Sequence, residues 1–292
     1  MSGALTAPEA AMPSRPGEKP VLEVTGGPGR ASWSALAELA AFRGVLWAFA
    51  LRDVKVKYKQ AAIGIGWAVL QPVLAALVFA LFLGRYAGVA SEGAPYALFA
   101  LAGLVAWTYF SGASATAMES LVSDQALLRK IYFPREVVPL AAVVAGLVDL
   151  VPGVVVLLLA ALAYGAPVGA SWAALPLAFA PLVTFGAALG LGLSAVNVYY
   201  RDVRYALPFV LQLGLFASPV VYSLDAVPES WRTFYAIANP VAAAIDGTRE
   251  IVLHGSWPRF ALLGAALAWS LLLLVGGYTL FKRLERGFSD RV

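Results

Sequence analysis

Long apolar runs, separated by short stretches in which charge collects, recur along the 292-residue chain. A helix that crosses a bilayer needs about 20 such residues at a rise of about 1.5 Å each. Six stretches meet that length: residues 61–83, 95–118, 137–164, 173–196, 206–223 and 258–281. The pattern predicts an all-α integral membrane protein with six transmembrane helices. Ahead of the first span, Leu36, Leu39, Leu46, Trp47 and Ala50 recur at near-helical spacing from Trp33 onward, with Glu38 and Arg43 among them. That spacing predicts an N-terminal interfacial helix, or an amphipathic helix packed on the bundle. Between the fifth and sixth spans, residues 224–257 hold "WRTFYAIA" and "PVAAAIDGTREIVLHG", each too short to cross. Short outer re-entrant or interfacial helices suit these lengths, as does an ordered outer loop. Asn239 reads as an N-cap with Pro240 in the first helical position, and Gly255 as the end of that helix.

Composition agrees with the pattern: 61% of residues are hydrophobic and 13% charged, whereas soluble domains carry about 25% charge. Residues 1–31 mix Pro, Gly, Ala and scattered charge without an apolar core, so a disordered cytoplasmic tail is expected there. The cations are unevenly placed. With the N-terminus inside, 8 Lys/Arg precede the first span, 3 lie in residues 119–136, 2 in residues 197–205 and 4 in the C-terminal tail, out of 21. Only Arg85, Arg232, Arg249 and Arg259 fall outside, which puts both termini in the cytoplasm. The basic run "LRDVKVKYKQ" before the first span reads as a cytoplasmic anchor. In a membrane protein the position of the cations outweighs their sum, so the pI of 9.3 does not point to nucleic acid.

Several chemistries are excluded or poorly supported. The chain has no cysteine and one histidine, His254, so neither a thiolate site nor a histidine metal centre is expected. No G-x-x-x-x-G-K-[ST] phosphate loop occurs, and any use of ATP therefore requires a partner. His254 reads as an exposed loop histidine, and no Ser/His/Asp grouping suggests an enzyme. Asp149 lies inside the third apolar run, where a carboxylate costs at least a few kcal/mol unless it faces a partner; a structural hydrogen-bonding role is expected. Among the aromatic residues, Trp107, Tyr109, Phe110 and Tyr222 are candidates for lining a passage, because aromatic rings stack on the C–H faces of sugars. Belt and packing roles account for most of the others.

The stretch "LLRKIYFPREVVP", residues 127–139, breaks the apolar pattern on the cytoplasmic side. Asp124 is placed to cap a short helix reaching about Tyr132. Phe133 precedes a proline and is biased toward extended backbone, Pro134 opens the third span, and Glu136 complements that span's N-terminus. A stiff elbow results.

Several segments in order then resemble one family. "LRDVKVKYKQAAIGIGWAVLQPVLAALVFALFLG", "PYALFALAGLVAWTYFSGA", "LLRKIYFPREVVPLAAVVAGLVDL", "NVYYRDVRYALPFVLQLGLFASPVVY" and "NPVAAAIDGTREIVLHG" are similar to parts of type 2 ABC exporter permeases for O-antigen, capsular polysaccharide and teichoic acid. The resemblance spans residues 42–285 and leaves out the long tail. It implies that residues 32–292 form a transmembrane permease domain, the membrane subunit of an exporter for a lipid-linked polysaccharide. It further implies a bacterial inner-membrane location, a second copy of the chain, and two copies of a cytoplasmic ATPase that bind the ATP and Mg. A cytoplasmic coupling helix would present Leu127, Leu128, Ile131, Tyr132 and Phe133 to the ATPase, with Arg129, Lys130 and Arg135 at the rim and Pro134 turning the chain. Arg201, Asp202 and Arg204 would form the second cytoplasmic loop, and Asn239, Pro240, Asp246 and Arg249 an outer gate. An ion-coupled secondary carrier is the rival reading, followed by a membrane enzyme acting on a lipid-linked sugar.

Overall fold

The computed structural model describes residues 41–59, 64, 66–128 and 133–288, and every regular element among them is helical. The expected tail at 1–31 and the start of the helix from Trp33 lie outside the described residues. In chain order the helices are α1 (Arg43–Tyr58), α2 (Gly66–Phe79, continued by a π-helical Ala80–Tyr86), α3 (Tyr96–Ser123), α4 (Gln125–Leu128) and α5 (Val137–Ala163). They continue with α6 (Leu175–Tyr199), α7 (Val203–Ala217), α8 (Glu229–Ala238), α9 (Pro240–Val252) and α10 (Phe260–Glu285).

Among the described residues, five helices are long and apolar enough to cross a membrane: Gly66–Tyr86, Tyr96–Ser123, Val137–Ala163, Ala170–Tyr199 and Phe260–Glu285. The fifth expected span, 206–223, is shorter than drawn. It is the 15-residue α7, which stops where Ser218 turns extended (φ −105°, ψ 151°) before Pro219. At about 22 Å it falls short of a hydrocarbon core of about 30 Å.

The bundle is built around α3. Buried residues fill 78% of its most apolar stretch, against 11% for α2 and 17% for α10, which leave their apolar faces uncovered. Water does not drive helices together inside lipid, so close packing rests on small residues. A Cβ at Gly190 of α6 would come 2.7 Å from that of Ala117 on α3. One at Gly277 of α10 would come 2.4 Å from the carbonyl oxygen of Ala188 on α6. These glycines let α6 sit between α3 and α10 at backbone contact.

Two expectations about helix ends need correction. The N-terminal helix does not stop ahead of the basic run: α1 continues through Lys55 and Lys57, both good helix formers, and climbs beside α5. Its Phe49 ring lies 5.1 Å from Phe133, while its Lys57 reaches Asp149, twelve positions into α5. Asn239 does occupy the N-cap of α9, with Pro240 at the first helical position, but its side chain makes no cap bond. Its Nδ2 donates to Ser218 Oγ at 2.9 Å instead, tying α9 to the end of α7. Gly255, in the left-handed region at φ 65°, follows the end of α9.

Candidate functional site

Near the foot of α5, the elbow foreseen around Pro134 is present, and its contacts face inward. Val137 N donates to Pro134 O at 3.0 Å, closing the turn that starts α5. Phe133 is 6% exposed and packs with Phe49, Phe281 and Phe288. It is therefore not offered to a partner's groove: an aromatic ring gains more from burial in its own chain's core. Leu127 and Leu128 are half-buried against the same cluster, and the Arg135 guanidinium lies 5.7 Å from the Phe288 ring. Arg129, Lys130, Ile131 and Tyr132 lie outside the described residues. Glu136 does not hold its own helix end; it is 2% exposed and its carboxylate accepts from Lys282 Nζ at 2.9 Å and from Tyr278 Oη at 3.5 Å. Asp124 likewise accepts from Arg52 Nη2 at 2.5 Å. The elbow is thus bolted to α10 and α1. Arg201 and Asp202 of the α6–α7 turn and Arg204 in the first turn of α7 are exposed, with Arg204 3.8 Å from Glu119.

The four candidate passage aromatics do not line one path in the protomer: three lie on α3, where helical phase turns Tyr109 away from Trp107 and Phe110, and Tyr222 lies in the irregular stretch after α7. Trp107 and Phe110 share a face of α3, their rings 5.6 Å apart, and Phe110 stacks on Phe185 of α6 at 5.2 Å and 10°. They border a cavity of about 500 Å³ beneath α7. Tyr109 points to α5, its hydroxyl donating to Val143 O at 3.5 Å. Tyr222 lies between α7 and α8, its hydroxyl 3.0 Å from that of Tyr235. Asp149 is engaged as its setting requires: it accepts from Lys57 Nζ at 2.5 Å and from the Tyr58 hydroxyl.

The residues 218–223 after α7 are irregular, yet Val220 and Val221 are buried. Their carbonyls must find donors inside the chain. Arg249 supplies two in this stretch: its guanidinium donates to Val220 O at 2.7 Å and Tyr222 O at 3.0 Å, as well as to Phe99 O of α3 at 3.3 Å, and lies 3.5 Å from the Phe99 ring centroid. The Tyr96 hydroxyl donates to Val221 O at 2.6 Å. At 2% exposure Arg249 is a buried clamp rather than an external charge. One turn away, Asp246 pairs with Arg259; burial pushes its carboxyl above the ordinary value and Arg259 opposes that shift.

Residues 44–253 match the family model "ABC-2 type transporter". The chain belongs to the ABC-2 type transporter family. Relatives extend along nearly their whole length. This ABC-2 permease is 29% identical over 262 residues to the O-antigen export system permease protein RfbA of Myxococcus xanthus, covering 87% of this chain and 98% of that one. It is 25% identical over 242 residues to the RfbA protein of Klebsiella pneumoniae, covering 82% and 91%. With the polysialic acid transport protein KpsM of Escherichia coli it shares 21% identity over 236 residues, covering 80% and 91%. The protein is a multi-pass membrane subunit of the ABC transporter type.

Sequence reasoning missed the Glu136–Lys282 and Arg52–Asp124 bonds that fix the elbow, whose partners are 146 and 72 positions apart. A signal existed at Glu136, a carboxylate at the mouth of an apolar run. For its partner there was none.

Proposed function

We propose that this ABC-2 permease is the transmembrane subunit of an ATP-driven exporter that moves a lipid-linked polysaccharide across the bacterial cytoplasmic membrane. Two copies work with two copies of a separate ATPase, which binds the ATP and Mg. The observation that carries this reading is the match along 98% of a relative named for O-antigen export, joined by one named for polysialic acid transport. The chain's own lack of a phosphate-loop motif accords with an ATPase on another polypeptide.

In this reading the bundle has six crossings, the fifth made of α7 plus the irregular 218–223. Irregular backbone is tolerated at membrane depth only where protein satisfies it, and Arg249 and Tyr96 do so for three successive carbonyls. Both termini then lie in the cytoplasm. With Arg249 buried, Arg85, Arg232 and Arg259 are the outer cations, which strengthens the inside bias. The elbow and the Arg201–Arg204 loop face the ATPase, and α8 and α9 form the outer gate. Because the elbow is bonded to Lys282, ATPase closure would drive α10 together with α5.

The ion-coupled carrier has less support: coupling needs a carboxylate free to exchange an ion, and Asp149 and Glu136 are both engaged by lysine. Tagged protein, extracted from its host with co-encoded neighbours, should bring down an ABC ATPase, and deletion should trap completed lipid-linked glycan inside the cell. Recovery without any ATPase, together with unaltered surface glycan in the deletion strain, would defeat the proposal.

A further inference from the structure

Where α1 lies along α5, a cavity of about 350 Å³ opens between these two helices and α3. Its wall on α3 and α5 is made of small residues, among them Gly112, Ala142, Ala145 and Gly146, which leave the space unfilled. Facing that wall are charged and polar groups: Asp53, Lys57 and Tyr58 from α1, and Asp149 from α5. Their bonding is incomplete. Asp53 and Lys57 stand one turn apart on α1, on the same face, but do not bond each other. Asp53 Oδ1 accepts from Arg52, while Lys57 Nζ donates to Asp149 at 2.5 Å. A carboxylate has two oxygens and an ammonium three protons. Asp53 Oδ2 and two protons of Lys57 therefore have no hydrogen-bond partner among the described residues.

An unmet acceptor and an unmet donor on one cavity suit a ligand that carries a cation and an anion on a short link. A neutral sugar brings no charge to the ammonium, and an anion alone meets two carboxylates. Depth narrows the choice further. α2 and α5 share a groove at Leu77 and Tyr164. Counted back from that contact at about 1.5 Å per residue, Gly66 at the start of α2 lies about 17 Å away and Asp149 of α5 about 23 Å. Asp149 thus stands beside the point where α2 enters the bilayer, at the level of the lipid headgroups, and not at the bilayer centre.

We propose that the cavity between α1, α3 and α5 holds the headgroup of a phosphatidylethanolamine from the cytoplasmic leaflet, its ammonium on Asp53 and its phosphate on Lys57. This rests on the reading of α2 as the first bilayer crossing, entered from the cytoplasm. The primary ammonium is what the site selects: its N–H groups make charge-assisted bonds to Asp53 Oδ2, and the trimethylammonium of phosphatidylcholine has no proton to give. Seated there, the lipid braces α1 against α3 across the gap that the small residues leave.

The test is native mass spectrometry of the full chain in detergent, titrated with phosphatidylethanolamine, phosphatidylcholine or phosphatidylglycerol of the same acyl chains. The wild-type protein is expected to retain one phosphatidylethanolamine per chain about tenfold more tightly than either other lipid, the worth of one charge-assisted hydrogen bond. Asp53→Asn keeps the shape of the site, removes the charge and should erase that preference. A Cβ at Gly112 meets nothing within 4 Å, so Gly112→Leu grows into the cavity and should abolish selective retention. Gly44→Leu, equally open but away from the cavity, should leave it intact. Size exclusion shows which variants are folded, and Asp53→Asn decides the matter where Gly112→Leu is not. The proposal is overturned by equal retention of the three lipids in the wild-type protein, by a preference that survives Asp53→Asn or a folded Gly112→Leu, or by displacement of the lipid by free oligosaccharide, which would give the cavity to the glycan. Selective retention by a chain that exports no polysaccharide would sink the exporter reading and leave the lipid site standing; export by a chain with no lipid preference would do the reverse.

Discussion

Replacing Arg249 by methionine tests whether a buried cation supports the irregular end of the fifth crossing. The exchange keeps an unbranched, flexible apolar stem and removes the guanidinium donors. Val220 O and Tyr222 O, now bonded at 2.7 and 3.0 Å, would be left buried and unpaired, at about 1–3 kcal/mol each. Loss of the guanidinium from the Phe99 ring, at 3.5 Å, removes up to about 2 kcal/mol more. Against this stands relief of the desolvation penalty of a side chain 2% exposed with its Nε unpartnered, worth several kcal/mol. The net is a local loss of about 2–4 kcal/mol, or amide exchange about 30- to 700-fold faster at about 1.4 kcal/mol per decade. Hydrogen exchange of residues 218–224 in micelles, followed by mass spectrometry, reads this directly. Arg249→Lys keeps the charge without the planar fork and should fall between the two. Gly103→Ala should loosen the same segment from the other side, since its Cβ would lie 2.4 Å from Val220 O. Unchanged exchange there in Arg249→Met would refute the clamp.

Three further outcomes follow from the packing. Phe133→Ala should cost about 3–5 kcal/mol as a buried aromatic, lowering the thermal midpoint of the purified protein; an unshifted midpoint with weakened ATPase binding would restore Phe133 to the docking surface. Gly277→Leu should abolish a stable fold by driving α10 off Ala188 O, while Gly276→Leu, whose Cβ meets nothing within 4 Å, should be recovered as a folded protein, both read by fluorescence-detected size exclusion. With no native cysteine in the chain, Ser230→Cys on exposed α8 should react with an impermeant maleimide in intact cells or spheroplasts; reaction only after lysis would invert the topology.

How far the sequence could be read depends on the range of the forces involved. Helix runs and the break at Pro134 are local, and periodicity exposes them. The ending of α7 at Ser218 was also local, a residue before proline, but the apolar run "SPVVY" concealed it because hydropathy ignores backbone restriction. Asp149 signalled itself as a charge inside an apolar run, whereas Arg249, flanked by Thr248 and Glu250, read as an outer cation. Their partners were not legible, since Phe99 and Lys57 lie 150 and 92 positions away and only packing brings them close. The same limit misplaced Phe133: a proline elbow looks exposed in sequence, and the rings that bury it come from α1 and from the C-terminal end of α10 and beyond. The four passage aromatics were grouped by type, whereas helical phase turns Tyr109 away from Trp107 and Phe110, and Tyr222 stands apart in the irregular stretch after α7.

The central claim, that this chain conducts a lipid-linked polysaccharide using a partner's ATP hydrolysis, is most directly tested by reconstitution. Purified permease and its co-encoded ATPase would be placed in vesicles with the ATPase outside, and the host's radiolabelled lipid-linked glycan added to the outer leaflet. Movement is read as protection of the glycan from an added glycosidase. Protection that requires ATP, the ATPase and an intact permease is the predicted result. Protection that proceeds without the ATPase under an imposed proton gradient, or none for any glycan while ATP is hydrolysed at an undiminished rate, would contradict it.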